Sequence, residues 1–172
     1  QESPIKQILP DVPPSLVEVP EPSSDLDKVP RVAFMFTGQG SQYLDMGLEL
    51  YENDVVFRRT LDRCDEILRP LLPIPLLNLL FKARAEASGT NMDAVNETQF
   101  SQPAIFSLEY SLYEAWRARG VVPDVVFGHS VGEYAAACAA GFISLEDALR
   151  VVEARGRLLQ AQPKREGVMV SV

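Results

Sequence analysis

At 172 residues and 47% hydrophobic content, the chain is long enough for one domain with a real core. With 16 Lys and Arg against 24 Asp and Glu, its net charge of −8 argues against a nucleic-acid or anionic-membrane surface and favours a soluble partner or a small substrate. Neither Cys64 nor Cys138 has a further ligand at metal-binding spacing, and no signal peptide or apolar stretch of ~20 residues occurs. We therefore expect a cytoplasmic protein without a bound metal.

Residues 1–30 are rich in proline, which removes backbone donors and fixes φ too often for a lasting helix or central strand. The prolines are Pro4, Pro10, Pro13, Pro14, Pro20, Pro22 and Pro30. We interpret the stretch as a linker from a longer chain on its N-terminal side, since such composition favours disorder. The alternative is a tail packed on its own domain.

Apolar runs and amphipathic helices begin at Arg31. Residues 32–36 form a continuous apolar run of strand length, typical of a parallel strand buried on both faces. Four apolar residues then share one face of a helix that Pro70 ends: Phe57, Leu61, Cys64 and Leu68. Residues 70–100 are less regular.

A second predicted helix has Pro103 in its first turn and ends at Gly120. Its apolar face carries Ala104, Ile105, Leu108, Leu112, Ala115 and Trp116. Residues 124–127 are a further candidate for a short buried strand, and a helix of small residues is predicted directly after it, over 131–140.

The last predicted helix begins after Ser144, which with Asp147 resembles a capping box, and runs to about Ala161. Residues 168–172 predict a strand for which no later segment of the sequence supplies a partner. Strands that alternate with helices indicate an α/β fold with a mainly parallel sheet flanked by helices, and the pattern is incomplete at the end of this sequence.

The segment 128–132, GHSVG, matches the G-x-S-x-G pattern between a predicted strand and a predicted helix. In that setting the glycines permit a tight turn that lifts the serine out of the backbone, and the helix N-terminus favours developing negative charge. We therefore predict Ser130 to be a nucleophile. The alternative is a serine that only makes a turn or caps a helix.

Arg155 lies on the apolar face of the last predicted helix, with Ala148 and Val152. Ten helical residues lead away from Ser130 and ten lead back to Arg155, so each leg is ~15 Å long and an antiparallel pair brings them level. The guanidinium of Arg155 would then bind a substrate carboxylate through two parallel hydrogen bonds. One alternative is an ion pair with an acidic side chain. The other is an aliphatic stem that packs on apolar surface while the guanidinium reaches solvent.

Residues 38–42, GQGSQ, follow the first predicted strand, where open α/β sheets place ligand groups. The glycines allow close backbone approach, so the N–H of Gln39 could form an oxyanion hole with that of Val131. A lone G-x-G is more often only a turn, and the sequence of a phosphate-binding loop is absent.

His129 is the one histidine of the sequence and directly precedes Ser130. Adjacent side chains diverge at a tight turn, so His129 is poorly placed to deprotonate the serine. The base is either an acidic residue such as Glu133 or a residue outside this sequence, and the unpartnered final strand favours the second.

Four blocks of the sequence resemble the acyltransferase domains of modular polyketide synthases and the related malonyl-CoA:acyl-carrier-protein transacylases. The blocks occupy residues 36–47, 98–116, 128–149 and 153–160, in the order and spacing of that family. The resemblance implies an α/β-hydrolase-like large subdomain over 31–166, and the first strand of a ferredoxin-like small subdomain over 167–172, where the sequence ends.

The resemblance also implies a reaction. Ser130 would be acylated by an acyl-CoA and pass the acyl group to the phosphopantetheine thiol of an acyl carrier protein, without a bound cofactor. Arg155 matches the arginine that pairs with a malonyl-type carboxylate, Gln39 and Val131 match the oxyanion-hole positions, and His129 matches a residue with a supporting role in the pocket. In this family a hydrophobic residue such as Val131 after the serine is more usual in malonyl-type domains, so malonyl is expected rather than methylmalonyl.

The family's catalytic histidine lies beyond the small subdomain, so the expected partners include the C-terminal part of the domain and neighbouring synthase domains, besides acyl-CoA and the carrier protein. The chain alone is expected to be inactive. Two other functions stay open: a serine hydrolase, for which Arg155 would have no purpose, and a non-catalytic piece that only packs against its complement.

Overall fold

A computed structural model describes residues 31–162 of the chain. Strands β1 (Ala33–Phe36) and β2 (Val125–Gly128) pair in parallel, with Ala33 beside Val125 and Phe36 beside Gly128. Parallel strands need a long crossover, and helices supply it here. The predicted α/β class is therefore confirmed. The predicted linker at 1–30 and the predicted strand at 168–172 lie outside the described residues.

Helices make up most of the described structure. Between the strands lie α1 (Leu48–Asn53), α2 (Val55–Leu68), α3 (Leu76–Leu80), α4 (Lys82–Ser88), a 3-10 helix (Met92–Asn96) and α5 (Thr98–Ala118); β2 is followed by α6 (Gly132–Ala139) and α7 (Leu145–Gln160). Helix α5 packs against α2, α6 and α7. Within residues 31–162, none of these helices has both the length and the apolar character needed to cross a membrane.

Local sequence signals account for α2 and α7. The Asp54 carboxylate accepts hydrogen bonds from the amides of Val56 and Phe57 and so caps α2, whose four predicted core residues are fully buried. The Ser144 side chain accepts a bond from the Asp147 amide and caps α7 as the sequence predicts. Both helices are confirmed, and α7 ends within one residue of its expected position.

Helix α5 ends before Gly120 as predicted, but its start and the exposure of Trp116 differ from the prediction. It begins at Thr98, so Pro103 lies inside the helix and not in its first turn. Packing against α7 fixes this start: the Thr98 amide donates to Gln160 Oε1, and a Cβ on Gly156 would lie 2.9 Å from the Thr98 carbonyl oxygen. At the other end Trp116, predicted to face the core, is 51% exposed. The spacing of apolar residues along the helix gives no information about the packing against α7 or about the exposure of Trp116.

The strands are buried on one face only, which corrects the prediction of burial on both. Phe36 points into the core, whereas Met35 is 71% exposed and Phe127, its neighbour in register, is 49% exposed. Within residues 31–162, the helices thus cover one side of the sheet and leave an apolar face on the other. The continuous apolar run was a sound sign of a strand, but it does not tell which segment covers each face.

Candidate active site

Ser130 lies on the turn between β2 and α6 with a φ of 56°. A positive φ is uncommon in a residue other than glycine, costs free energy, and is concentrated at functional sites. The turn directs Ser130 towards the cavity described below, while α6 begins two residues later. This is the strand, tight turn and helix arrangement that the G-x-S-x-G pattern predicts.

The two flanking glycines are required by close backbone contacts. A Cβ on Gly128 would lie 2.1 Å from the carbonyl carbon of Gly132, and a Cβ on Gly132 would lie 2.5 Å from the carbonyl oxygens of Phe36 and Thr37. The turn that carries Ser130 therefore packs directly against the end of β1. Only glycine permits both approaches.

Gly132→Ala is expected to destabilise the fold by about 1–3 kcal/mol, because the added methyl group meets backbone oxygens that have no rotamer by which to move away. Denaturant unfolding measures this loss. Gly89→Ala is the matched control: nothing lies within 4 Å of its Cβ, so only the strain of its φ of 69° remains. The close-contact explanation fails if Gly132→Ala loses no more free energy of unfolding than Gly89→Ala does.

A cavity of about 670 Å³ surrounds the Ser130 hydroxyl. It is lined by residues from the loop after β1, the start of α5, the turn after β2 and the end of α7: Gln39, Gly40, Gln42, Thr98, Gln102, His129, Ser130, Arg155 and Leu159. Four residues singled out from the sequence thus meet in one cavity. The fifth, Val131, is fully buried directly after Ser130.

Arg155 contacts Ser130 across the α6–α7 hairpin, as the path length predicts. Its Nη2 donates to Ser130 Oγ over 3.2 Å, its Nη1 donates to Gln102 Oε1, and its guanidinium carbon lies 5.9 Å from the centre of the Tyr134 ring. Among residues 31–162, no carboxylate lies within ion-pair distance of Arg155. The ion-pair alternative therefore lacks a partner in this part of the chain, and the half-buried cation faces the cavity.

The two backbone amides predicted to form an oxyanion hole are that of Gln39, which lines the cavity, and that of Val131, which directly follows Ser130 and is buried. Within the described residues, neither the Gln39 N–H nor the Val131 N–H donates to a protein acceptor. The loop that carries Gln39 is nevertheless held in place, since Gln39 Nε2 donates to Thr98 Oγ1 over 3.1 Å and the Gly40 amide donates to Gln42 Oε1 over 2.8 Å. Fixed amides without a partner are what an oxyanion hole requires.

The described residues offer no evident base for Ser130. His129 lines the cavity, yet its imidazole packs against Gly38, where a Cβ would lie 2.5 Å from Nδ1, and it makes no hydrogen bond to Ser130. Glu133 is exposed and does not line the cavity. The same part of the chain holds no group of three or more His, Cys, Asp or Glu residues suited to a metal ion.

Sequence reasoning missed Gln102 and Tyr134, which both touch the Arg155 guanidinium. Gln102 is 1% exposed although its side chain is polar, and it lies two positions before Ala104, the first residue of a predicted apolar face. A polar residue beside such a face is the signal that could have pointed to it. Tyr134 gave no comparable signal, because an aromatic residue in a helix of small residues is usually part of the core.

Comparison with known proteins identifies relatives of the chain. The family model described as the acyl transferase domain matches residues 33–172. A PKS-NRPS hybrid synthetase, ATPKS of Aspergillus niger, is 42% identical over 150 residues, which are 87% of this chain and 8% of the synthetase. The chain thus spans a small part of that relative.

Two solved structures share the fold. The acyl transferase domain of ZmaA has a TM-score of 0.71 at 38% identity, over 78% of this chain and 30% of that one. The malonyl CoA-acyl carrier protein transacylase from Clostridium perfringens has a TM-score of 0.66 at 32% identity, over 77% of this chain and 38% of that one. The resemblance inferred from the four sequence blocks is therefore confirmed, and the chain belongs to the acyl transferase domain family.

Proposed function

We propose that the chain forms part of an acyltransferase that moves a malonyl-type acyl group from coenzyme A to the phosphopantetheine thiol of an acyl carrier protein, through an acyl-enzyme on Ser130. The observation that carries the proposal is the Arg155 guanidinium beside Ser130 Oγ, in a cavity where the described residues give it no carboxylate. Family membership and the likeness to a malonyl transacylase support it.

In the first half-reaction, Ser130 Oγ attacks the thioester carbonyl carbon while a base takes its proton. The carbonyl oxygen becomes an oxyanion, which the free amides of Gln39 and Val131 stabilise. The intermediate collapses to the serine ester, and the coenzyme A thiolate leaves with a proton. In the second half-reaction the carrier thiol attacks the ester, the thioester forms, and the serine regains its proton.

Arg155 selects the acyl group in this proposal. A malonyl unit carries a carboxylate close to its thioester carbonyl, and the guanidinium can hold that carboxylate while Ser130 attacks. Gln102 fixes the orientation of the guanidinium through Nη1, and the Tyr134 ring lies near it. The resemblance to the family further implies malonyl over methylmalonyl, because Val131 follows the nucleophile.

The base comes from outside this sequence, since its one histidine faces Gly38 and supports the pocket wall. We place the base in the C-terminal part of the domain, because the solved relatives are about three times longer than the portion this chain matches. That part is also the proposed cover for the apolar sheet face of Met35 and Phe127. The carrier protein and the neighbouring synthase domains are the further partners.

Malonyl-CoA and a carrier protein with its phosphopantetheine arm test the proposal on a complete domain that contains residues 31–172. Intact-mass measurement should show one malonyl adduct on the enzyme, which peptide mapping places on Ser130, and the adduct should move to the carrier. An adduct that water removes faster than the carrier thiol does would indicate a serine hydrolase. Absence of any adduct in the complete domain would indicate a chain that only packs and does not react.

A further inference from the structure

Glu109 is a buried carboxylate that the proposed reaction does not use. It lies on α5 and is 8% exposed. Its Oε1 accepts two hydrogen bonds from Thr37, one from the backbone N–H and one from Oγ1 at 2.8 Å. Thr37 directly follows β1, so Glu109 ties the first residue of the Gln39 loop to the longest helix of the described structure.

Thr37 joins the loop to the turn that carries Ser130. Its Oγ1, which donates to Glu109, lies 2.9 Å from Ser41 Oγ, and the single Ser41 hydroxyl proton can be donated to this oxygen or to the Gly38 carbonyl oxygen 3.1 Å away. Its own carbonyl oxygen is one of the two atoms that Gly132 approaches so closely. A displacement of Thr37 would therefore reach both proposed oxyanion donors, Gln39 on one side and Val131 on the other.

Glu109 occupies this place at an energetic cost. Its Oε2 is buried without a hydrogen-bond partner in the described part of the chain. Burial raises the pKa of the Glu109 carboxyl, although the two bonds from Thr37 act in the opposite direction. A buried polar atom without a partner destabilises a fold, and an apolar side chain of similar size would avoid that destabilisation. The two hydrogen bonds that Oε1 accepts from Thr37 are the contribution that offsets this cost.

We propose that Glu109 is a positioning residue of the acyltransferase reaction, which acts through Thr37 to hold the Gln39 amide where the oxyanion forms. The inference rests on the proposed role of Gln39 as an oxyanion donor. A residue that merely attached α5 to β1 would influence stability but would have no particular effect on the acylation step. These two roles predict different responses to substitution.

Three variants of the complete domain separate the two roles. Glu109→Leu removes both acceptor bonds, Glu109→Gln keeps an acceptor oxygen for Thr37, and Asp65→Leu removes another buried carboxylate, one that bonds to Leu77 N and Arg69 instead of the loop. The acyl-enzyme is measured as a function of malonyl-CoA concentration. Hydrogen exchange of the Gly40 amide reports loop order without any need for turnover, because that amide bonds to Gln42 and not to Glu109.

Glu109→Leu is expected to lower the maximal acylation rate by about 10- to 100-fold, since loss of a whole oxyanion donor costs roughly 10²–10³ and a displaced donor costs less. The malonyl-CoA concentration for half-maximal rate should hold, because Arg155 is untouched. Gly40 exchange should accelerate. In Glu109→Gln, the maximal acylation rate and the Gly40 exchange rate should be near the parent values. Asp65→Leu should leave these two rates unchanged, even if it loses as much stability as Glu109→Leu or more.

The inference is overturned if Glu109→Leu and Asp65→Leu behave alike, or if Glu109→Gln fails to restore the rate. Should Glu109→Leu not fold, Thr37→Val takes its place: it removes only the Oγ1 bonds and should give a smaller loss of the same kind. If the parent domain forms no acyl-enzyme, the proposed function is wrong, and Gly40 exchange alone then decides whether Glu109 orders the loop.

Discussion

Ser130→Ala is expected to abolish acylation of the complete domain while the fold is kept. Removal of the nucleophile of a serine protease costs on the order of 10⁶ in kcat, which would place malonyl loading below detection. Alanine bears the same backbone strain at a φ of 56° as serine does, so the free energy of unfolding should change little. Intact-mass measurement with malonyl-CoA follows the adduct, and denaturant unfolding follows stability.

Ser130→Gly sharpens this experiment. Glycine adopts a positive φ without steric cost, so this variant should be equally unable to form the adduct but more stable by about 1 kcal/mol. Ser107→Ala is the matched control, because its buried hydroxyl donates to the Pro103 carbonyl oxygen within α5 and does not line the cavity. A malonyl adduct that persists in Ser130→Ala would place the nucleophile elsewhere.

Arg155→Ala is expected to slow malonyl loading by roughly 10- to 150-fold while acetyl loading holds or rises. A hydrogen bond to a charged group contributes about 1.5–3 kcal/mol, and each ~1.4 kcal/mol is a factor of ten. An acetyl group has no carboxylate and loses nothing by the change. Loading rates with malonyl-CoA and acetyl-CoA, measured side by side in the complete domain, give the selectivity directly.

Arg157→Ala controls for the loss of a positive charge on the same helix. Arg157 pairs with Glu153 and does not line the cavity, so its removal should leave the ratio of the two loading rates unchanged. Equal slowing of malonyl and acetyl loading by Arg155→Ala would contradict the carboxylate-binding role. In that case Arg155 would serve to orient Ser130, with which it shares a hydrogen bond.

The elements that local rules govern were predictable from the sequence. Capping by Ser144, the apolar face of α2 and the strand before Gly128 each depend on residues a few positions apart. The contact between Ser130 and Arg155 was also predictable, because about ten residues lead from Ser130 to the turn and ten lead from Leu145 back to Arg155, which brings the two residues level.

Features that could not be predicted depend on residues distant in the chain. The start of α5 is fixed by Gln160, sixty-two positions after Thr98, and Glu109 is seventy-two positions from Thr37. Hydrophobic periodicity depends on residues close in the chain and gives no information about such contacts. It therefore predicts Pro103 in the first turn of α5 and does not single out Glu109. The exposure of one face of the sheet could not be predicted for the same reason. Met35 belongs to a continuous apolar run, but its side chain faces away from the described helices.

The parallel pairing of β1 and β2 places the two proposed oxyanion donors after neighbouring strand ends. Gln39 and Val131 both come after strand ends that are hydrogen-bonded neighbours, so any movement of the sheet carries the two amides together and keeps their spacing. Arg155 reaches the same cavity on α7, beyond the turn at Gly141. In the proposed reaction, a substitution on α7 that changes the contact with the substrate carboxylate would therefore leave the spacing of the two amides intact, and Ser130 would be affected only through its hydrogen bond with Arg155.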